Sequence, residues 1–147
     1  MRKEYSWYQL LVTIFLILAI AGCSGDKITA PTGSVVSINP LSMSVSDTNP
    51  SATHTQYFTI TIKDEKDNPV QNAEVSISLP VAIPDPLGYA QLYDGSTPKN
   101  SPFIATTNAD GVYYLRVDYL SGGGTSFTSN LEIRSGSAFA SATLTVS

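Results

Sequence analysis

From Val35 to the C-terminus the chain alternates apolar and polar residues with a period of two. In Tyr57–Ile62, Phe58, Ile60 and Ile62 fall on one side and Thr59 and Thr61 on the other. Val75, Ile77 and Leu79 alternate with Ser76 and Ser78, and Tyr113, Leu115, Val117 and Tyr119 alternate with Tyr114, Arg116 and Asp118. Phe127, Leu131 and Ile133 oppose Thr128, Asn130 and Glu132, while Ala138, Ala140, Ala142, Leu144 and Val146 oppose Ser141, Thr143 and Thr145. Successive side chains of an extended strand point to opposite faces, so each stretch reads as a strand with one buried face. Val36, Ile38, Met43 and Val45 continue the pattern around Pro40. Proline donates no ladder hydrogen bond, which suits a first strand that lies at an edge or switches sheets.

No stretch beyond Cys23 has a convincing helical period. The pattern predicts an all-β domain of about seven antiparallel strands, near 35–46, 55–63, 73–79, 102–107, 111–119, 126–134 and 137–146, packed as a two-sheet sandwich. Its expected core includes Ile60, Ile77, Leu115 and Leu131, with Thr61 and Thr128 on the outside.

The N-terminus is patterned differently. Met1-Arg2-Lys3 is basic, and Leu10–Ala21 is apolar apart from Thr13. That run is well short of the roughly 20 residues that span a bilayer, and it fits the apolar region of a secretory signal. Ile20-Ala21-Gly22-Cys23 resembles the lipobox of bacterial lipoproteins. The resemblance implies cleavage between Gly22 and Cys23, a diacylglyceryl group on the Cys23 sulfur, and acylation of the new amine. At ~0.8 kcal/mol per buried methylene one acyl chain anchors only marginally, whereas two or three make desorption very slow. Ser24, where an aspartate would favour inner-membrane retention, implies by the same resemblance an outer-membrane location in a Gram-negative source. Gly25–Ser34 lacks periodicity and reads as a flexible tether reaching at most roughly 35 Å, with pairing of Lys27–Ala30 as an edge strand the alternative. The expected organisation is a signal peptide over 1–22, lipidated cysteine and tether over 23–34, and one domain over 35–147.

Two turns point to a family. Asp64-Glu65-Lys66-Asp67-Asn68-Pro69-Val70 leads into Asn72-Ala73-Glu74-Val75, and Thr106-Thr107-Asn108-Ala109-Asp110-Gly111 precedes a long strand. This pairing resembles bacterial Ig-like domains of the invasin and intimin type. Asp67 stands where that family usually has glycine, and Asn108 where it has aspartate; both residue types tolerate left-handed turn geometry. Carboxypeptidase regulatory-like and transthyretin-like domains share the Asn-Pro-Val and Asp-Gly turns, but the two further strands after residue 125 favour the invasin-type likeness. Both kinds are β-sandwiches, and neither implies catalysis.

Charge narrows the function classes. Charged residues make up 14% of the chain and the net charge is −4. Lys27, Lys63, Lys66, Lys99, Arg116 and Arg134 are scattered, so no basic footprint for nucleic acid exists. A single cysteine excludes an intramolecular disulfide, so the fold rests on its core. His54 is the one histidine; any Ser-His-Asp triad must use it, and its polar surroundings read as a solvated loop before a strand. Gly122-Gly123-Gly124 precedes a strand, not a helix whose N-terminus would bind phosphate. Asp64, Asp67 and Asp110 are a weak calcium candidate, since aspartate in turns is ordinary backbone chemistry. No cofactor is expected.

The sequence therefore predicts a non-enzymatic, lipid-anchored Ig-like module at the cell envelope that makes protein–protein or surface contacts, as an adhesion, stalk or assembly accessory. The alternative is a carbohydrate-binding or polysaccharide-associated module; sugar binding requires an exposed aromatic platform. The membrane, reached through Cys23, is one expected partner and an unidentified protein or glycan the other. Pro80–Ser101 is far longer than the usual connection of about 4–6 residues. Within it, Tyr89, Leu92 and Tyr93 are the candidate contact residues, expected at the membrane-distal tip.

Overall fold

The computed structural model describes residues 26–46, 52–79, 88–121 and 127–147. The signal segment, Gly22, Cys23 and the glycine run at 122–124 lie outside the described residues.

Among the described residues ten strands form: β1 (Val35–Asn39), β2 (Ser42–Val45), β3 (Thr53–Lys63), β4 (Glu74–Ser78), β5 (Gly88–Asp94), β6 (Thr97–Lys99), β7 (Phe103–Thr106), β8 (Val112–Ser121), β9 (Phe127–Ser135) and β10 (Ala138–Val146). They make two five-stranded sheets, ordered β1-β3-β8-β5-β6 and β2-β10-β9-β4-β7. Every ladder is antiparallel except β2 with β10. The fold class is as the alternation predicts, but the count of seven strands is corrected in two places. The 35–46 stretch divides at Pro40 into β1 and β2, which belong to opposite sheets. The long 80–101 connection holds the hairpin β5–β6, which extends one sheet beyond β8. Gly88 and Ala90 weaken the apolar alternation there, and Pro98 demotes the stretch to an edge; pairing with β8 supplies what local pattern does not.

The inward phases are those of the sequence. Ile60, Ile77, Leu115, Leu131 and Ile133 are buried between the sheets with Val36, Ile38, Met43 and Val45, whereas Thr128 is exposed and Thr61 half-buried. At about 25 cal/mol per Å² of apolar surface, this burial is the main stabilising term.

One end of the sandwich gathers the two turns singled out above. Asp64 N bonds Asn68 O, Ile62 N bonds Gly111 O, and Asn72 N bonds Thr107 O. Asp67 and Asn72 hold positive φ, at 67° and 58°, the left-handed geometry foreseen for Asp67. Gly111, at φ 69°, lies so close to its neighbours that a Cβ would sit 2.6 Å from Ile62 O. Thr107 joins the turns: its buried hydroxyl donates to Val70 O at 2.7 Å and accepts from Ala73 N at 2.9 Å. The segment before β1 reaches the same end. Ile28 N donates to Asn72 O, Glu74 N donates to Ile28 O, and Ala30 is buried.

Candidate binding surface

The outer face of the β3-β8-β5 region collects the large polar and aromatic side chains that the inward phase excludes. Register places Tyr57 opposite Arg116 and Arg116 opposite Tyr93, and Tyr93 is in turn opposite Pro98 on the edge strand. One row therefore crosses four strands. In the next row toward the turn end Thr59 faces Tyr114, and in the row on the other side Thr55 and Gln91 flank Asp118. Tyr57 and Tyr114 are 65% and 64% exposed, high values for rings of this size.

Arg116 organises the surface. Its guanidinium lies over the Tyr93 ring, 4.4 Å from the centroid, an arrangement in which the ring's negative face attracts the cation. Its Nε donates to Asp118 Oδ1 at 2.9 Å, and its Nη2 pairs with Asp118 Oδ2. Thr55 Oγ1 donates to Asp118 Oδ1 at 2.8 Å. The Arg116 hydrogen bonds, followed by that from Thr55, hold the Asp118 carboxyl below the usual carboxylate range, against the opposing effect of burial. Asp118 in turn raises the Arg116 pKa. Lys99 and Asp94 pair at the edge at 3.8 Å. The face thus carries opposite charges already neutralised by one another, beside two open tyrosine rings.

The other sheet offers a thinner counterpart, in which Phe139, Arg134, Ser76 and Ile104 form a row across β10, β9, β4 and β7. There Arg134 lies over Phe139, 4.6 Å from its centroid.

The loop candidates are corrected. Leu92 is 2% exposed and belongs to the core, because it occupies an inward position of β5. Tyr93 sits on the sheet's outer face and not at a distal loop tip. Tyr89 lies in β5 in register with Leu120, and its side chain is outside the described residues. The hairpin adds two strands, so the turns at 64–72 and 107–111 still share one end.

Asp64, Asp67 and Asp110 do not assemble as a cation site; among the described residues no group of three or more acidic, histidine or cysteine side chains is placed to hold a metal. Asp64 accepts from Asn68 Nδ2, Asn68 N and Lys66 N, bonds that lower its pKa. Asp67 pairs with Lys63 at 2.8 Å. His54 is not a loop residue as expected: it lies within β3, half-buried and in register with Tyr119.

Tyr57 and Tyr114 were legible in the sequence only as large aromatics at polar-phase positions. That signal marks an exposed ring but not its neighbours, since the adjacency of β3, β8 and β5 is a long-range fact.

No family model matches the chain, and neither does the sequence of any curated protein. Solved structures similar to it include an ASH/PapD-like domain of human CEP192 (TM-score 0.47, 12% identity, 86% of this chain and 93% of that one). Others are WR4, a C. elegans MSP family member (TM-score 0.48, 9% identity, 77% and 98%), and domains 4 and 5 of the S-layer protein SbsC (TM-score 0.45, 12% identity, 76% and 50%). These likenesses concern the fold alone, which the strand order itself shows to be an Ig-like, two-sheet β-sandwich.

Proposed function

We propose that this protein is a non-enzymatic binding module of bacterial Ig-like type, held at the cell envelope by lipid on Cys23, whose contact surface is the outer face of β3, β8 and β5. The observation that carries the reading is the row Tyr57–Arg116–Tyr93 with Tyr114 beside it. Tyrosine and arginine are the residue types that concentrate binding energy at contact surfaces. Here they stand on a rigid sheet, so little conformational entropy is lost on contact. The lipid anchor rests on the Ile20-Ala21-Gly22-Cys23 tetrad after a short apolar run. Ile28 is tied by its backbone to the turn end of the sandwich. A lipid at Cys23 therefore leaves only about 17 Å of chain, five residues at ~3.3 Å each, between membrane and domain. That sets the 64–72 and 107–111 turns toward the membrane and the tyrosine face sideways.

Two measurements test this. Cys23→Ser abolishes incorporation of a fatty-acid analogue and leaves an uncleaved precursor; label retained on the variant rejects the anchor. A photo-crosslinking residue at Thr59, between the tyrosines, captures an envelope component in intact cells, whereas the same residue at Thr128 on the opposite sheet does not. Equal capture at both positions, or none at Thr59, rejects the contact surface.

A further inference from the structure

We propose that the ligand of this face is an extended β-linked pyranose polysaccharide, laid across Tyr57 and Tyr114; the inference rests on the contact-surface reading above and names its partner. The outward positions around Arg116 decide between ligand classes. They are Thr55, Tyr57, Thr59 and Thr61 on β3, Tyr114, Arg116 and Asp118 on β8, and Gln91 and Tyr93 on β5. None of these is aliphatic; the outward aliphatic residues of β8, Val112 and Leu120, are half-buried toward its two ends. A protein partner with an apolar contact centre needs desolvated aliphatic or aromatic pockets, and this patch offers hydroxyls, an amide and open rings. The full charges of this patch, on Arg116 and Asp118, neutralise each other, and Lys63 at the end of β3 is paired with Asp67, so nothing selects a polyanion or a polycation.

A pyranose ring combines the two chemistries that remain. Its axial C–H groups form an apolar, slightly positive face that stacks on the negative face of an aromatic ring. Its equatorial hydroxyls radiate in the ring plane, where hydroxyl, amide and carboxylate partners can meet them. Tyr57 and Tyr114 are diagonal neighbours across the β3–β8 ladder, about 7–8 Å apart at the backbone. That separation exceeds one stacked ring, so the face suits successive units of a chain and not a single enclosed sugar. β-Linkage keeps such a chain extended and ribbon-like, with its C–H faces open to exposed rings. Tyr93 is already covered by Arg116 and holds the guanidinium in place beside the two open rings.

The test is native affinity electrophoresis of the full chain in detergent micelles, in gels containing hydroxyethylcellulose, a neutral β-linked glucan, or pullulan, an α-linked one. The expected result is retardation by hydroxyethylcellulose and little by pullulan. Tyr57→Ala and Tyr114→Ala should each weaken retention by roughly three- to tenfold, the worth of one ring contact. Phe139→Ala on the other sheet should leave it unchanged, and unaltered melting temperatures would show that the exposed-ring variants remain folded. Retention that survives both tyrosine substitutions, or equal retention by the two glucans, overturns the proposal. No retention by either glucan, together with a protein captured by the crosslinker at Thr59, overturns the glycan and leaves the contact surface standing. No retention and no capture overturns both.

Discussion

Thr107→Val removes one hydroxyl and little volume, and its cost can be worked from the structure. Thr107 is 3% exposed. Its oxygen is the hydrogen-bond partner of Val70 O at 2.7 Å and of Ala73 N at 2.9 Å, and both residues are buried. Valine leaves this carbonyl and this amide without that partner in a place water does not reach. A buried unsatisfied group costs about 1–3 kcal/mol, so the pair should cost about 2–6 kcal/mol. Thr107→Ser keeps the oxygen and loses one methyl, about 1 kcal/mol. The backbone bonds Thr107 N to Ala73 O and Asn72 N to Thr107 O persist in both variants, so the difference isolates the hydroxyl. In urea unfolding followed by circular dichroism, a slope of about 2 kcal/mol per M translates a 3 kcal/mol loss into a midpoint about 1.5 M lower, with the slope unchanged. A valine variant as stable as the serine variant would refute the reasoning: the hydroxyl would then be decoration, and the two turns would be joined by their backbones alone.

Gly111→Ala should lose more than about 3 kcal/mol and melt roughly 10–20 °C lower, since its Cβ would meet Ile62 O at 2.6 Å and Val70 N at 2.9 Å; Gly95→Ala, also at positive φ but with nothing within 4 Å, should lose only about 1 kcal/mol. Ser129, 2% exposed and with no partner for its hydroxyl among the described residues, should become neutral to stabilising as Ser129→Ala in the same melts, and a loss above about 1 kcal/mol would reveal a partner. The Asp118 pKa lies below its unfolded value, first through Arg116 and then Thr55. Its contribution is therefore fully present above about pH 4, the unfolded carboxyl value, and is lost as pH falls through the lower folded value. Asp118→Asn should accordingly be less stable than the parent at pH 7, with the gap closing as pH falls below the unfolded carboxyl value. A gap independent of pH would show that packing, not charge, is responsible.

Period-two alternation alone determines that this chain is an all-β sandwich, and it assigns the faces correctly at Ile60, Ile77, Leu115 and Leu131. Alternation has this power because a one-residue slip would turn a whole strand inside out. Turn chemistry at Asp67 and Gly111 is equally local, since left-handed geometry restricts the residue type at the position itself. What the chain does not spell out locally is which strand lies beside which. β5 has a diluted pattern and becomes a strand because β8 offers it a full ladder from Gly88 to Asp94. That pairing buries Leu92 and turns Tyr93 outward beneath Arg116. The tyrosine–arginine row draws on residues 57, 93, 98 and 116, and its members meet only through pairing across three ladders. Phase along a strand is a property of neighbours in sequence, whereas the composition of a sheet face is set by contacts between distant segments, and only the tertiary structure decides those.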